Sequence, residues 1–171
     1  CLRNCPTGAI RVRGGKAIIN ESKCIDCGEC IRICPHHAKL AKTDPLPAPG
    51  KFKYTVALVA PAIIGQFKPK YSIAEILSAV KALGFDEVVE VAYGAEIVGQ
   101  ALKYEYHAKR YPKPLISSAC PAVVKLIQVR FPELTDNICR LKSPMAMTAR
   151  LIRKRIREEG QYKNPEVGIF F

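Results

Sequence analysis

Four cysteines stand at positions 24, 27, 30 and 34 of the run Cys24-Ile25-Asp26-Cys27-Gly28-Glu29-Cys30-Ile31-Arg32-Ile33-Cys34-Pro35. This is the C-x2-C-x2-C-x3-C-P spacing that binds 4Fe–4S clusters. The spacing has a physical reason. Three thiolates two residues apart can wrap one face of a cubane from a single tight loop, while the fourth points away to another cluster. Cys1-Leu2-Arg3-Asn4-Cys5-Pro6 reads as the end of a second such run. Cys5 is therefore expected to complete the cluster of Cys24, Cys27 and Cys30. Cys1 and Cys34 are expected to share the other cluster with two cysteines lying before residue 1. Gly8 and Gly28 suit tight turns close to the clusters. With the thiolate set complete, His36 and His37 read as surface residues.

Disulfides are the competing use of eight cysteines. Six of the eight fall within residues 1–34 at metal-ligand spacing, and no charged, apolar leader marks a secreted chain, so metal is the better account. Cubanes with four cysteine ligands carry single electrons. Residues 1–40 resemble bacterial dicluster ferredoxins.

A seventh cysteine stands elsewhere, in Ile116-Ser117-Ser118-Ala119-Cys120-Pro121. This stretch reads as strand, turn and helix start. Ligands of parallel α/β sheets gather at the carboxyl ends of strands, and a helix N-terminus favours an anionic sulfur. Cys139 has no metal spacing and reads as structural. Val59-Ala60-Pro61-Ala62 is another strand end, its small residues permitting close approach of a bulky group. Lys142-Ser143-Pro144-Met145-Ala146-Met147 opens a helix whose thioethers suit either a core or an apolar pocket.

The elements that must position these residues divide at Thr43–Lys51, a stretch with three alternating prolines that favours an extended, fairly stiff spacer. Beyond it, Tyr54–Ala60 is a β-rich apolar run. Ser72-Ile73-Ala74-Glu75 is a capping box for a helix stopping near Gly84. Val88–Ala92 is apolar, and a helix follows Gly94. Pro114–Ser118 reads as a short strand, Pro121 to about Arg130 as a helix, Ser143-Pro144 to about Glu159 as another, and Val167–Phe171 as a last strand. The apolar runs lack polar alternation, so both faces should be buried, as in a parallel sheet. The fold class expected is an α+β ferredoxin-like dicluster module (residues 1–42), a Pro-rich linker (43–52) and an α/β domain with a mostly parallel sheet (53–171).

The order of these features resembles the iron-only (FeFe) hydrogenases and the C-terminal domain of their large subunit, over nearly the whole chain. The resemblance implies a cubane bridged by a cysteine to a two-iron site carrying carbon monoxide and cyanide, a cofactor that makes or splits hydrogen. Cys120 matches a ligand of that cubane. Ala60, Pro61 and Ala62 match backbone packed on the two-iron ligands. Ser143 and Pro144 match the loop before a methionine lining the site, for which Met147 fits better than Met145. Three departures stand out. Ala119 replaces the cysteine that relays protons in efficient enzymes, and an alanine cannot transfer a proton. Val123 stands where the family pattern has a tryptophan. Ala101 and Leu102 stand about where it has an acidic pair. These changes fit a sensory or low-turnover branch.

The resemblance further implies hydrogen and protons as substrates and an electron-carrier protein such as ferredoxin as partner. The remaining cubane ligands of the family lie in later signatures, so residues 1–171 read as an inactive fragment of the whole. An electron-transfer or Fe–S assembly protein with this fold but no two-iron site is the alternative. The net charge of +12 does not indicate nucleic acid, because Lys and Arg are spread along the chain and aromatic residues are not interleaved with them. The densest basic run, Arg150–Arg157, reads as an amphipathic helix with a solvated face that could meet an acidic carrier. No stretch approaches the roughly 20 apolar residues of a membrane helix. Oxygen-sensitive clusters and free thiols point to the cytoplasm of an anaerobe.

Overall fold

The computed structural model describes residues 2–44, 48–160, 162–163 and 166–171, with no side chains described at 48 and 49. Cys1 and residues 45–47 of the proline-rich spacer lie outside the described residues. In chain order the elements are β1 (Ile10–Arg13), β2 (Lys16–Ile19), α1 (Glu29–Arg32), β3 (Tyr54–Val59), α2 (Ile73–Lys81), β4 (Glu87–Glu90), α3 (Ala92–Ala108), α4 (Pro121–Arg130), α5 (Pro144–Glu159) and β5 (Val167–Phe170). They form two compact units. One joins Cys1–Thr43 to Ala108–Arg140, and the other joins Asp44–His107 to Leu141–Phe171.

In the first unit β1 and β2 pair antiparallel, Ile10 opposite Ile19 and Arg13 opposite Lys16. The turn between them is Gly14-Gly15, both at positive φ (55° and 71°), the conformation a two-residue hairpin with the right twist requires. Ala9, Ile10 and Ile25 are buried beneath the cysteine loops. Later in this unit Pro121 occupies the first turn of α4, where a missing N–H costs nothing. A 3-10 helix at Pro132–Asn137 follows. The strand expected at Pro114–Ser118 is not formed. Only a single parallel bridge joins Ile116 to Ile138. Pro112 and Pro114 remove ladder donors, and the Ser117 hydroxyl accepts from the Ala119 N–H at 3.3 Å, turning the backbone away from a ladder.

The second unit is an α/β layer. Its sheet is parallel, in the order β4-β3-β5, with Val56 opposite Glu87 on one side and Ile169 on the other. β3 is buried along nearly its whole length, as its unbroken apolar sequence requires. Val56, Leu58, Val91, Ile152, Ile156 and Val167 form the core. Each such side chain contributes about 1.5–3 kcal/mol on burial. α2 begins with the expected capping box: the Ser72 hydroxyl accepts from the Glu75 N–H, and the Glu75 carboxylate accepts from the Ser72 N–H. α5 buries Ile152 and Ile156 and leaves Arg150, Arg153, Lys154 and Arg157 exposed. It ends at Gly160, whose φ of 69° is the left-handed cap.

Two local expectations shift. α3 starts at Ala92, two residues before Gly94. Gly94 serves packing there, not helix initiation. In the spacer, Ala48–Lys51 form a 3-10 turn instead of extended chain.

Candidate functional site

The loop Cys24–Cys30 owes its shape to two left-handed residues, Asp26 (φ 52°) and Gly28 (φ 72°). They bend the chain twice within five residues. Gly28 then caps α1, which carries Cys30 on its first turn. Cys5 precedes β1 and Cys24 follows β2, and the pairing of Ile10 with Ile19 brings those two chain ends to the same end of the hairpin. The result is a cavity of about 460 Å³ lined by Cys5, Cys24, Cys27 and Cys30, with Ala9, Ile10, Ile25 and Ile31 in its walls. That size falls within the range of small-ligand sites. Cys34 is half-buried and lies outside this cavity's lining.

The sulfurs have backbone donors, which favour their anionic form. The Ala9 N–H reaches Cys5 Sγ at 3.2 Å, and the Thr7 hydroxyl stands at 3.7 Å. Burial pushes the Cys5 thiol up, but hydrogen bonds from the Thr7 backbone and hydroxyl and then the Ala9 and Ile10 backbones outweigh it and hold the thiol below its ordinary value. At Cys34 the N–H groups of Ala38, at 3.4 Å, and of His36 pull the thiol down. Cys24 goes the other way. The Asp26 N–H favours its thiolate, but burial, the Asp26 carboxylate and Cys30 together raise it.

No disulfide joins any of the seven described cysteines. No three His, Cys, Asp or Glu among the described residues converge closely enough to hold a single metal ion. A cubane makes a different demand: each thiolate binds its own iron, so four sulfurs spaced around a cavity suit it where one convergent point would not. The cysteine-only donors, the apolar walls and the amide N–H groups aimed at sulfur all fit such a cluster.

The other candidate residues are placed as follows. In the first unit Cys120 is exposed and is the N-cap of α4. Ala119 precedes it, also exposed. In the second unit Ala60 follows the carboxyl end of β3 and caps a 3-10 helix, Pro61–Gln66. β3 is the central strand, with its successors on either side, and such a reversal in strand order is where open α/β sheets bind ligands. Ser143 caps α5, its hydroxyl accepting from the Ala146 N–H at 3.3 Å, and Pro144 forms the first turn. Met145 packs on the core, whereas Met147 is half-buried one helical turn after Ser143. His36 and His37 are exposed, and Cys139 is fully buried.

Sequence reasoning missed one contact at the cavity. Lys125 of α4 pairs with the Asp26 carboxylate. The two stand 99 positions apart, Asp26 at a variable position of the cysteine run and Lys125 in no motif.

Residues 53–169 match the family described as iron only hydrogenase large subunit, C-terminal domain, and residues 17–39 match the 4Fe-4S binding domain. The chain is 24% identical to the NADP-reducing hydrogenase subunit HndD of Solidesulfovibrio fructosivorans over 152 residues, which is 74% of this chain and 25% of that protein. It is 30% identical to iron hydrogenase 1 of Clostridium pasteurianum over 102 residues, 54% of this chain and 18% of that protein. The chain thus spans a quarter or less of the length of these two relatives. A solved variant of the FeFe-hydrogenase HydA1 from Chlamydomonas reinhardtii shares the fold, with a TM-score of 0.58 over 76% of this chain and 34% of that one at 24% identity. Among the described residues, no helix is long and apolar enough to cross a membrane.

Proposed function

The chain belongs to the iron-only hydrogenase large-subunit family, and from that membership we propose that it is part of a hydrogen-activating iron–sulfur oxidoreductase. The observation that carries this reading is the cavity lined by Cys5, Cys24, Cys27 and Cys30, in a chain whose residues 53–169 match the hydrogenase family. When bound, the clusters supply single-electron transfer and the two-iron cofactor supplies hydrogen activation.

The chain's own residues have these roles. Cys5, Cys24, Cys27 and Cys30 hold one 4Fe–4S cluster as thiolates. Ala9 and Thr7 donate toward the Cys5 sulfur, and Ile10, Ile25 and Ile31 give the cavity apolar walls. Cys34 and Cys1 serve a second cluster, as in a dicluster ferredoxin. Cys120 ligates the cubane of the composite cofactor. Ala60, Pro61 and Ala62 supply backbone, and Ser143, Pro144 and Met147 a loop and side chain, for the two-iron part of that cofactor. Ala119 moves no proton, which suits a sensor or a low-turnover enzyme. Hydrogen and protons are the substrates, and an electron-carrier protein is the partner. Free thiolate ligands and oxygen-sensitive clusters suit the cytoplasm.

Ala119 also favours a second reading, an electron-transfer or Fe–S assembly protein of this fold without a two-iron site. Infrared spectra of the anaerobically matured full-length protein separate the two. Bands of iron-bound carbon monoxide and cyanide are expected for the hydrogen-activating protein. Their absence in protein that carries its full cubane content would leave only the second reading.

A further inference from the structure

Asp26 stands between two candidate cluster ligands, and its carboxylate faces two groups at once. One oxygen accepts from the Cys24 thiol at 3.5 Å. The other is paired with Lys125 Nζ on α4. At the end of the same helix Arg130 donates to the Pro6 carbonyl at 3.2 Å. α4 is therefore tied to both cysteine loops: to Cys24–Cys30 through Lys125, and to the residue after Cys5 through Arg130. Its N-cap is Cys120.

Folding stability does not account for the ion pair. The Lys125 and Asp26 side chains are 49% and 71% exposed, and exposed pairs contribute little. The chemistry changes once Cys24 is a ligand. An iron-bound cysteine is a thiolate with no proton to donate. The S–H···O contact then becomes one anion 3.5 Å from another. One-electron reduction places a further negative charge on the cluster. Net charge around a cluster is among the factors that set its potential. Lys39 also lines the cavity, but its ammonium is turned to the Ala17 carbonyl at 2.8 Å. Lys125 is the cation that meets the offending carboxylate.

We propose that Lys125 is a positioning residue for the cluster of Cys5, Cys24, Cys27 and Cys30. By neutralising Asp26 beside the Cys24 sulfur it raises the reduction potential of that cluster, and it fastens the cluster loop to the helix that begins at Cys120. This builds on the reading that the four cysteines hold a cubane.

The test is a potentiometric titration of anaerobically reconstituted protein, with dithionite as reductant, followed by electron paramagnetic resonance. Iron and sulfide content are measured alongside. Lys125→Met is expected to lower the reduced-to-oxidised ratio at a fixed potential by about threefold to tenfold, the upper figure being ~59 mV for one electron. Lys125→Arg should leave it unchanged. Asp26→Asn should raise it, and the double variant Asp26→Asn/Lys125→Met should return close to wild type. The Lys125→Met shift should also shrink as salt rises, because the pair is exposed. Unchanged potentials in Lys125→Met and Asp26→Asn at full iron content would overturn the proposal and leave the four-cysteine reading standing. Wild-type protein lacking any iron–sulfur signal would remove that reading, and the proposal with it. If Lys125→Met loses its cluster, Asp26→Asn decides: an upward shift supports the proposal and no shift refutes it.

Discussion

The backbone of Gly94 lies against the side chain of Thr148, so close that a Cβ at position 94 would collide with the threonine hydroxyl and stand 2.5 Å from the Pro144 carbonyl oxygen. Thr148 is fully buried, and its hydroxyl donates to that same carbonyl at 2.9 Å. α3 thereby presses on the first turn of α5, the turn that carries Ser143, Pro144 and Met147. Gly94→Ala must push the two helices apart. A loss of about 1–3 kcal/mol is expected for such overpacking. For a chain of this size that is about 2–4 °C of thermal midpoint per kcal/mol. Circular dichroism melts check it, and an unchanged midpoint would mean the helices yield without cost.

A second contact ties the sheet's edge together. The Asp86 carboxylate accepts from both the backbone N–H and the hydroxyl of Thr55 at 2.7 Å, while the Asp86 N–H donates back to the Thr55 hydroxyl at 3.1 Å. The Thr55 hydrogen bonds, side chain then backbone, hold the Asp86 carboxyl below its usual range. Its contribution is therefore complete above the ordinary Asp value near 3.9 and is lost as pH falls through the lower folded value. Asp86→Ala strands the buried Thr55 donors and should cost about 1–3 kcal/mol at neutral pH. The gap between wild type and variant should close on acidification below about pH 4. Unfolding midpoints of both proteins across that window give the answer, and a gap independent of pH would count against the carboxylate's role.

Ala119 gives a functional prediction. General acid–base groups typically contribute about 10²–10⁴-fold to a proton-transfer step. If Ala119 stands where a proton should pass, Ala119→Cys in the matured full-length protein should raise hydrogen evolution from a reduced viologen dye by at least about tenfold. Equal rates in the two proteins would show that protons reach the site by another path.

Much of this architecture was legible because it depends on local chemistry. The Ser72–Glu75 capping box, the prolines at 121 and 144 and the unbroken apolar run of β3 each determine structure within a few residues, and each element formed where its signal stood. What escaped depends on neighbours distant in sequence. Gly94 looked like a boundary because a glycine usually marks one, whereas its reason is Thr148 across the helix pair. Pro114–Ser118 had the apolar texture of a strand, but it opens on a proline without an N–H and pairs only at the Ile116–Ile138 bridge. The cysteine spacing announced the cavity, since thiolate geometry is set within one loop. The Lys125–Asp26 contact had no such signature, because one lysine among 27 basic residues declares no partner until the chain is folded.

The central claim is that four cysteines from two loops hold one cubane. Iron and acid-labile sulfide counted in anaerobically reconstituted wild-type, Cys5→Ala, Cys27→Ala and Cys139→Ala proteins test it most directly. About four irons and four sulfides are expected to be lost from the Cys5 and Cys27 variants and retained when the buried Cys139 is replaced. Equal cluster content in all four proteins, or wild-type protein that takes up no iron, would contradict it.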